Sequence, residues 1–464
     1  MVLPLPNLRN LELPEFGEPS IEPSIPGSTH EARVALAIAR AELGGLDALL
    51  VYGDREHLAN IAYLTGYDPR FEEALLIVQE GRTPILLAGN EGWGYADLAN
   101  GRFDKRLWSS FSLLDQPREN VPALSDLLVS AGLSPGMRVG CVGWKYFDDV
   151  DGVPPGSIEL PAFIVEAVSR TVGPTGRLTN ATDIFMNPKD GLRTINDVDQ
   201  MAQFEFAATF ASQCLRNVLF GLRLGMSEID VARLMRLPGL PHSAHLMLSS
   251  GERAFAGLAS PSLKIVERGD PFTMALGFWG GLSARAGFVV ETASELPGEI
   301  EDYAERLVAP YFAAVAAWYE SIGIGVRGSD LYAAIHDRIG DPFFGVSLNP
   351  GHYIHLDEWV SSPVSAESEI EIASGMALQA DIIPATGGPY FTTNAEDGVL
   401  IADAELRSEI VEKYPEMWTR IERRREFMIE TVGINLKPET LPVSNIPGYL
   451  QPFLLSPGLA MSFR

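Results

Sequence analysis

Three polar residues stand in short segments between Asn349 and Asp403, a stretch rich in glycine and proline. His352 lies in NPGHYIHLDEW, Asp381 in GMALQADIIP and Glu396 in TTNAEDGVLIAD. The last two segments have the apolar character of strands, in which a carboxylate is costly unless it is paired or used. An imidazole and two carboxylates can transfer protons or hold a metal ion. The pattern predicts a functional site that only the folded chain brings together.

Two further histidines are candidates for contacts with a substrate. His355 follows His352 in the same segment, and His245 stands with His242 at the start of a predicted strand. A histidine at a strand start can equally be structural, so both interpretations of His245 stay open.

The composition argues against several classes of partner. The chain has 464 residues, a net charge of -26 and 46% hydrophobic residues, which are properties of a globular protein with two or three domains. Phosphate groups are bound by clustered Lys and Arg, so this charge argues against nucleic acid or an anionic membrane.

The cysteines and the N-terminus bear on the compartment. Cys141 and Cys214 are far apart and support neither a disulfide framework nor a thiolate metal site. The segment MVLPLPNLRNLELPEF lacks the pattern of a signal peptide, and no later apolar stretch is long enough to span a bilayer. We therefore expect a cytoplasmic protein.

The order of patterns along the chain predicts two domains of different class. Residues 1–27 form a proline-rich, extended arm, and alternating strands and helices over residues 28–179 predict a layered α/β domain. Residues 180–194 are predicted to be a hinge. Grouped strands and helices over residues 195–435 predict an α+β domain, followed by a tail at residues 436–464 that wraps the surface.

The residues around the candidate site resemble those of a known family. The order G-H, G-M-x-L-x-acid-x-x-P and E-D-x-V-L-I is similar to that of the creatinase and Xaa-Pro aminopeptidase family, and YLTGY at residues 63–67 resembles its N-terminal domain. The resemblance implies a creatinase-type α/β domain followed by an α+β catalytic domain with the pita-bread fold. It also implies a homodimer that acts on a small-molecule substrate near the subunit contact.

The resemblance implies a metal site as well, but part of that site is missing. Metallopeptidases of the family bind two ions through two aspartates after a G-D turn, one histidine and two glutamates. The turn is present as Gly269 and Asp270, but Ala275 and Ala286 stand at the aspartate positions. Alanine has no ligand atom, whereas such ions need hard oxygen ligands. We therefore expect a member that works without metal or another cofactor.

The other family positions are partly matched. His352 corresponds to the histidine ligand, Glu396 to one glutamate and Asp381 to the other glutamate. One ion held by these three residues stays open as an alternative. The H-E pair downstream of the histidine would fall near Val360 and Ser361, so we expect its acid–base glutamate to be absent.

Two arginines are candidates for binding anionic groups. Arg285 adjoins Ala286, and its guanidinium is expected to bridge the carboxylates of Asp381 and Glu396 in place of a metal. Arg70 follows the YLTGY motif, where creatinase-like proteins present an arginine to the substrate of a partner subunit. An ordinary surface arginine is the alternative for Arg70.

Creatinase is the family precedent for cleaving a C–N bond without metal, with a histidine upstream of the G-D turn as acid–base catalyst. Leu258 stands at that position here. We predict a metal-independent hydrolase of a C–N bond in a small polar substrate that carries a carboxylate or a cationic group. Asp381 or Glu396 would act on water, and His352 would carry the proton to the leaving nitrogen. The alternatives are a metal-dependent Xaa-Pro aminopeptidase or dipeptidase, a lyase, and an inactive binding protein.

Overall fold

The computed structural model describes residues 5–464, which divide into two compact units. One unit comprises residues 24–194, and the other comprises residues 5–23 together with residues 195–464. The first four residues of the predicted arm lie outside the described residues. No helix in residues 5–464 has the length and apolarity to cross a membrane.

The unit of residues 24–194 is a layered α/β structure, as the alternating pattern predicts. Its strands are Ala48–Gly53 (β2), Ala74–Val78 (β3), Ile85–Ala88 (β4), Asp104–Leu107 (β5), Arg138–Val142 (β6) and Arg177–Asn180 (β7). They form one sheet in the order β5-β4-β3-β2-β6-β7. Strands β2, β3 and β4 are continuous apolar runs because every residue in them is buried.

Helices complete this unit. They are Gly27–Leu43 (α1), Ala59–Thr65 (α2), Asn90–Tyr95 (α3), Leu124–Ala131 (α4), Ala162–Val172 (α5) and Asp183–Met186 (α6). Leu128, Ile164 and Val168 of α4 and α5 pack with Leu50 and Leu75 of the sheet in one core cluster. The segment 180–194, predicted as a hinge, contains α6 and belongs to this unit.

The other unit is α+β, as predicted. Its helices are Val198–Gly221 (α7), Glu228–Leu234 (α8), Ala309–Ser321 (α9), Gly328–Ile339 (α10), Ala404–Lys413 (α11) and Pro415–Glu426 (α12). Its strands are Asn7–Asn10 (β1), His242–Ser250 (β8), Pro271–Phe278 (β9), Gly281–Phe288 (β10), His352–Tyr353 (β11), Ala377–Gln379 (β12), Asn394–Glu396 (β13), Gly398–Ile401 (β14), Thr440–Pro442 (β15) and Leu459–Ser462 (β16).

Two antiparallel four-stranded sheets form the framework of this unit, in the orders β13-β10-β9-β8 and β11-β12-β14-β15. Helix α7 packs on them through Met201, Phe204 and Ala208, which share a core cluster with Leu282. The turn between β9 and β10 lies so close to α7 that a Cβ on Gly281 would come 2.3 Å from the backbone nitrogen of Ala208. A glycine is therefore required there.

Segments near the two ends of the chain form strands, where the sequence predicts an extended arm and a tail that wraps the surface. Strand β1 pairs antiparallel with β16, so residues from both predicted end segments form a two-stranded sheet. Strand β15 pairs with β14, and Tyr449 and Ile446 between β15 and β16 are fully buried. Backbone pairing and burial hold these segments in the unit, although their proline content indicates an irregular path.

Candidate functional site

A cavity of about 560 Å³ lies in the unit that contains residues 195–464. Its walls are largely apolar and include Phe255, Leu258, Leu348 and Phe391. Its acidic lining residues are Glu358, Asp381 and Glu396. None of the described residues that line it is Lys or Arg. The cavity is thus apolar with one acidic region. Among the described residues, no arginine lines it that could bind a substrate carboxylate, although the sequence had led us to expect one.

The fold brings together the three residues predicted to be catalytic. One side-chain donor atom from each of His352, Asp381 and Glu396 lies within 4.8 Å of the other two. Strand β11 places His352 opposite Gln379 of β12, and Asp381 follows β12 by two positions. Strand β13 places Glu396 opposite Ala284 of β10. All three side chains are buried.

His352 is held in one orientation. Its ring stacks on Trp359 with centroids 4.1 Å apart and an interplanar angle of 18°. Nδ1 lies 3.1 Å from the carbonyl oxygen of Tyr353, and a ring N–H donating there leaves the lone pair on Nε2. Burial lowers the pKa of His352 to about 4, and the hydrogen bond to Tyr353 opposes this only in part. His352 is therefore neutral at neutral pH, with Nε2 facing the carboxyl groups.

Glu358 belongs to the site, and the sequence comparison missed it. Its Oε1 lies 3.4 Å from Nε2 of His352, compared with 3.9 Å for Oδ2 of Asp381. The family resemblance implies a glutamate near Val360 and Ser361, but these two residues close a loop on β11. The amide of Tyr353 donates to Ser361 and that of Val360 donates to Tyr353.

This loop closure explains how Glu358 and Trp359 return to His352 after only six positions. The sequence signal was the DEW triplet directly after HYIHL, which places an acid and an aromatic residue in one short loop. The family position near Val360 and Ser361 carries no glutamate, and Glu358 brings a carboxyl group to His352 from a neighbouring position instead.

The carboxyl groups of the site hold protons more strongly than isolated acids. Burial, and then the charges of Asp381 and Asp357, raise the pKa of Glu358 to about 7. Burial raises the pKa of Asp381 to about 7. Burial and then the charges of Asp381 and Glu358 raise the pKa of Glu396 well above its ordinary value, against a hydrogen bond from Gln379. Without a neighbouring cation, three close carboxyl groups cannot all ionise.

Arg285 does not supply that cation, contrary to the expectation. It alternates along β10 with Ala284 and Ala286, which line the cavity, so its side chain lies on the opposite face. There Nη2 is 2.7 Å from Oδ2 of Asp397. Further donors reach carbonyl oxygens, including those of Tyr449 and Glu396. The guanidinium is fully engaged away from the carboxyl groups of Asp381 and Glu396.

The remaining candidates occupy different surroundings. His245 lines the cavity, and its Nε2 lies 2.9 Å from the carbonyl oxygen of Leu258. His355 is buried with its ring edge-to-face against Phe204 at 5.1 Å, and it is not among the residues that line the cavity. His242 packs in the same manner on Phe278.

Arg70 lies in the unit of residues 24–194 and has a left-handed backbone conformation with φ of 60°. Its guanidinium is half exposed, pairs with Asp68 at 3.1 Å and bonds to the hydroxyl of Tyr95. Contact with the substrate of a partner subunit stays a prediction.

The donor set accommodates one metal ion but not the two-ion centre of the family. Ala275 and Ala286 line the cavity and present only methyl groups. In contrast, His352, Asp381 and Glu396 converge as a three-donor set. Two buried atoms of that set, Nε2 of His352 and Oδ1 of Asp381, have no hydrogen-bond partner among the described residues. Unsatisfied buried polar atoms of this kind are rare, and a water molecule or an ion would satisfy them.

Known structures share this architecture. The prolidase from Pyrococcus horikoshii OT3 superposes with a TM-score of 0.60 at 17% identity, covering 80% of this chain and 95% of that chain. The X-Pro aminopeptidase from Thermotoga maritima MSB8 gives 0.59 at 16% identity over 80% and 95% of the two chains. The chain has the pita-bread fold. This confirms the fold that the sequence resemblance predicts.

Sequence comparison finds a relative that is named as a peptidase. The chain is 27% identical over 226 residues to the uncharacterized peptidase YqhT of Bacillus subtilis (strain 168), a match covering 46% of this chain and 61% of that relative. No family model matches the chain. The dipeptidase PepE from Mycobacterium ulcerans, with 17% identity and a TM-score of 0.59 over 83% of this chain and 95% of that one, has the same pita-bread fold.

Proposed function

We propose that the cavity hydrolyses a C–N bond of a small peptide-like substrate. The observation that carries this proposal is the convergence of His352, Asp381 and Glu396, with Glu358 beside His352, where the three carboxyl groups line a largely apolar cavity. Several proteins of the same fold are named as prolidases, dipeptidases or X-Pro aminopeptidases. These names favour a peptide bond over the amidino or ureido group of a creatinase-like substrate, and they favour the Xaa-Pro peptidase alternative over the metal-independent one.

The carboxyl groups are suited to proton transfer near neutral pH. Glu358 and Asp381 both have a pKa raised to about 7, so one member of this pair can be ionised while the other carries a proton. The ionised carboxylate accepts a proton from the attacking water while the water oxygen forms a bond to the carbonyl carbon of the substrate. The protonated carboxyl group donates to the nitrogen as the C–N bond breaks.

His352 has a different role from the one expected of it. Its pKa of about 4 makes it a poor carrier of the proton at neutral pH. Nε2 lies 3.4 Å from Oε1 of Glu358 and has no hydrogen-bond partner among the described residues. In the proposed mechanism its lone pair orients the protonated carboxyl group of Glu358. The stacked indole of Trp359 and the carbonyl of Tyr353 keep the imidazole in place.

His352, Asp381 and Glu396 are the residues that would hold a metal ion. An ion bound there would polarise the substrate carbonyl and lower the pKa of a bound water.

The lining of the cavity bears on the substrate. Phe255, Leu258 and Phe391 offer apolar contacts, and the charged groups of the lining are acidic. We expect apolar residues and a free amine in the substrate to be favoured over a second carboxylate.

Turnover of a substrate panel tests the proposal. The panel contains Xaa-Pro and other dipeptides beside amidino, ureido and N-acyl amino acids, each with and without chelator. Glu396→Gln is expected to lower kcat/KM by about 100-fold or more, as is typical when an acid–base or ligand group is lost. Glu367→Gln removes the same charge from an exposed position and is the control. Absence of turnover on the whole panel would favour a binding protein.

A further inference from the structure

His245 faces the cavity because strand β8 is irregular at that point. The pairing of β8 with β9 shifts register between Ala244 and Met247, where β8 has one residue more than its partner. In a regular strand Ala244 and His245 would lie on opposite faces, yet both of them line the cavity. Bulges of this kind re-aim side chains and are common beside active sites. The irregularity therefore turns the imidazole toward the cavity.

The imidazole of His245 holds the tip of the loop that follows β8. Its Nε2 lies 2.9 Å from the carbonyl oxygen of Leu258, and Nε2 donates because a carbonyl oxygen can only accept. Gly257, with φ of 69°, turns the chain directly before this carbonyl group. Behind the tip, the amide of Leu248 in β8 donates to the carbonyl oxygen of Ala259 at 3.0 Å. The loop tip is thus tied to β8 by one side chain and one backbone hydrogen bond.

Two phenyl rings meet in the wall of the cavity. Phe255 belongs to the same loop and Phe391 to the segment before β13, and their ring centroids lie 5.0 Å apart in edge-to-face geometry. Phe255 is 55% exposed although it lines an apolar cavity. Its ring therefore keeps apolar surface that a ligand could cover.

The backbone at Phe391 is strained and firmly held. Its φ of 58° is a left-handed conformation that is costly for a bulky side chain, and such strain is concentrated at functional sites and ligand clamps. The amide of Phe391 donates to Gly388 at 3.0 Å, and its carbonyl oxygen accepts from the hydroxyl of Thr386 at 2.8 Å. The ring also packs edge-to-face on Phe288. Phe391 is thus a fixed aromatic surface, whereas the position of Phe255 depends on its loop.

We propose that Phe255 and Phe391 form an apolar clamp that determines specificity, and that His245 positions this clamp without taking part in the reaction. The clamp presents two phenyl rings and, next to them, the side chain of Leu258. We infer that it takes an aromatic or branched aliphatic group beside the scissile bond. The cleavage of that bond rests on the proposed function, but the binding of the apolar group does not.

Kinetics on two pairs of dipeptide amides test the clamp. Phe-Pro amide is compared with Ala-Pro amide, and Ala-Phe amide with Ala-Ala amide. We expect a preference for phenylalanine of at least about tenfold in kcat/KM within one pair, as filling an apolar pocket gives. Phe255→Ala and Phe391→Gly should each lose most of this preference. Leu263→Ala, at an exposed position on the same loop that does not line the cavity, should keep it.

Phe391→Gly is chosen so that the loss of the ring does not by itself unfold the protein. Glycine adopts φ of 58° without strain, so the substitution relieves the backbone while it removes the aromatic surface. The melting temperature of each variant shows whether it is folded. A folded Phe255→Ala or Phe391→Gly variant that keeps the full preference for phenylalanine would overturn the clamp, while its turnover would still support hydrolysis.

Variants of His245 distinguish positioning from catalysis. His245→Leu removes the hydrogen bond to Leu258, so KM for the preferred phenylalanine substrate should rise by about five- to tenfold at nearly unchanged kcat. His245→Gln keeps an N–H donor and should recover most of the lost affinity. A fall in kcat in both variants at unchanged KM would overturn the positioning role, because an amide cannot replace a catalytic imidazole. His242→Gln is the control, since His242 lies on the same strand and packs on Phe278.

Binding of the neutral fluorescent probe N-phenyl-1-naphthylamine separates this inference from the proposed function, because it requires no turnover. We expect Phe255→Ala and Phe391→Gly to bind the probe about tenfold more weakly than the unmodified protein, owing to the lost apolar contact. Leu263→Ala should bind it like the unmodified protein. Equal binding by all of these proteins, or no binding, would overturn the clamp even if the peptide amides are hydrolysed. Binding that depends on both rings without any turnover would support the clamp and contradict the hydrolase.

Discussion

Arg285 and Asp397 form an ion pair in which both side chains are almost inaccessible, with exposures of 2% and 1% and 2.7 Å between Nη2 and Oδ2. The same guanidinium donates to the carbonyl oxygens of Ile446 and Tyr449, which lie between β15 and β16. Strand alternation separates this pair from Ala286, whose methyl group faces the cavity. The buried arginine thus anchors the C-terminal segment instead of binding substrate.

Replacing Arg285 should therefore affect stability before activity. Arg285→Met leaves Asp397 as a buried charge without its partner, and we expect a loss of about 3 to 5 kcal/mol in the free energy of unfolding. Urea denaturation measures this loss. The double variant with Asp397→Asn should recover part of it, because the uncompensated charge is gone. The exposed Arg268, paired with Glu291 and Glu295, provides a control whose replacement should change stability little. A loss of turnover in Arg285→Met at an unchanged free energy of unfolding would instead support a direct role of Arg285 in the functional site.

The raised pKa of Asp381 predicts a pH dependence of stability in chelator. The folded protein retains this proton up to about pH 7, whereas the unfolded chain releases it near its ordinary pKa of about 4. Between these values the folded state binds more protons, so stability falls as pH rises, by about 1.4 kcal/mol for each unit. Asp381→Asn should flatten the decline in the free energy of unfolding between pH 5 and pH 7. Equal slopes in the variant and the unmodified protein would contradict the shift.

Glu228 is expected to position the loop that carries two apolar walls of the cavity. Its buried carboxylate accepts from the backbone and hydroxyl groups of Ser250 and Ser262 and also pairs with Arg253. The loop between these serines contains Phe255 and Leu258. Glu228→Gln weakens the charge-assisted hydrogen bonds, so we expect the free energy of unfolding to fall by about 1 to 3 kcal/mol. We also expect faster tryptic cleavage in the loop and a higher KM.

Asp230→Asn is the matched control for Glu228 on the same helix. Asp230 completes the capping box with Ser227 and is not among the residues that line the cavity. Its replacement should weaken the start of α8 without changing KM. An unchanged KM and an unchanged cleavage rate in Glu228→Gln would show that the loop does not depend on this carboxylate.

Replacing the two alanines that line the cavity by aspartates should increase the number of metal ions that the protein binds. The double variant Ala275→Asp and Ala286→Asp adds carboxylate donors at the positions that the family resemblance assigns to aspartates. Without metal, added buried carboxylates should lower the melting temperature because they repel those already present. Mn²⁺ should restore it, and elemental analysis should find more than one ion for each chain. The isosteric double variant with Asn controls for volume. A capacity that stays at the level of the unmodified chain would contradict this assignment.

Much of the site could be predicted from the sequence. His352, Asp381 and Glu396 were recognisable because a histidine and two carboxylates stood in otherwise apolar, glycine-bounded segments. The fold class followed from the order of strand and helix patterns, which depends on local periodicity. The absence of oxygen ligands at Ala275 and Ala286 could also be predicted, because the family resemblance indicates the two positions and the sequence gives the side chains that stand there.

Only the tertiary structure decided on which face of β10 the side chain of Arg285 lies, and that Glu358 lies beside His352. Arg285 meets Tyr449 across a separation of 164 positions, and no local pattern reports which face of β10 is covered by a distant segment. Glu358 reaches His352 because Val360 and Ser361 pair with Tyr353, which closes the loop within a few residues. The sequence by itself determines which reactive groups the protein has. Which of these groups lie next to one another depends on strand register and long-range pairing.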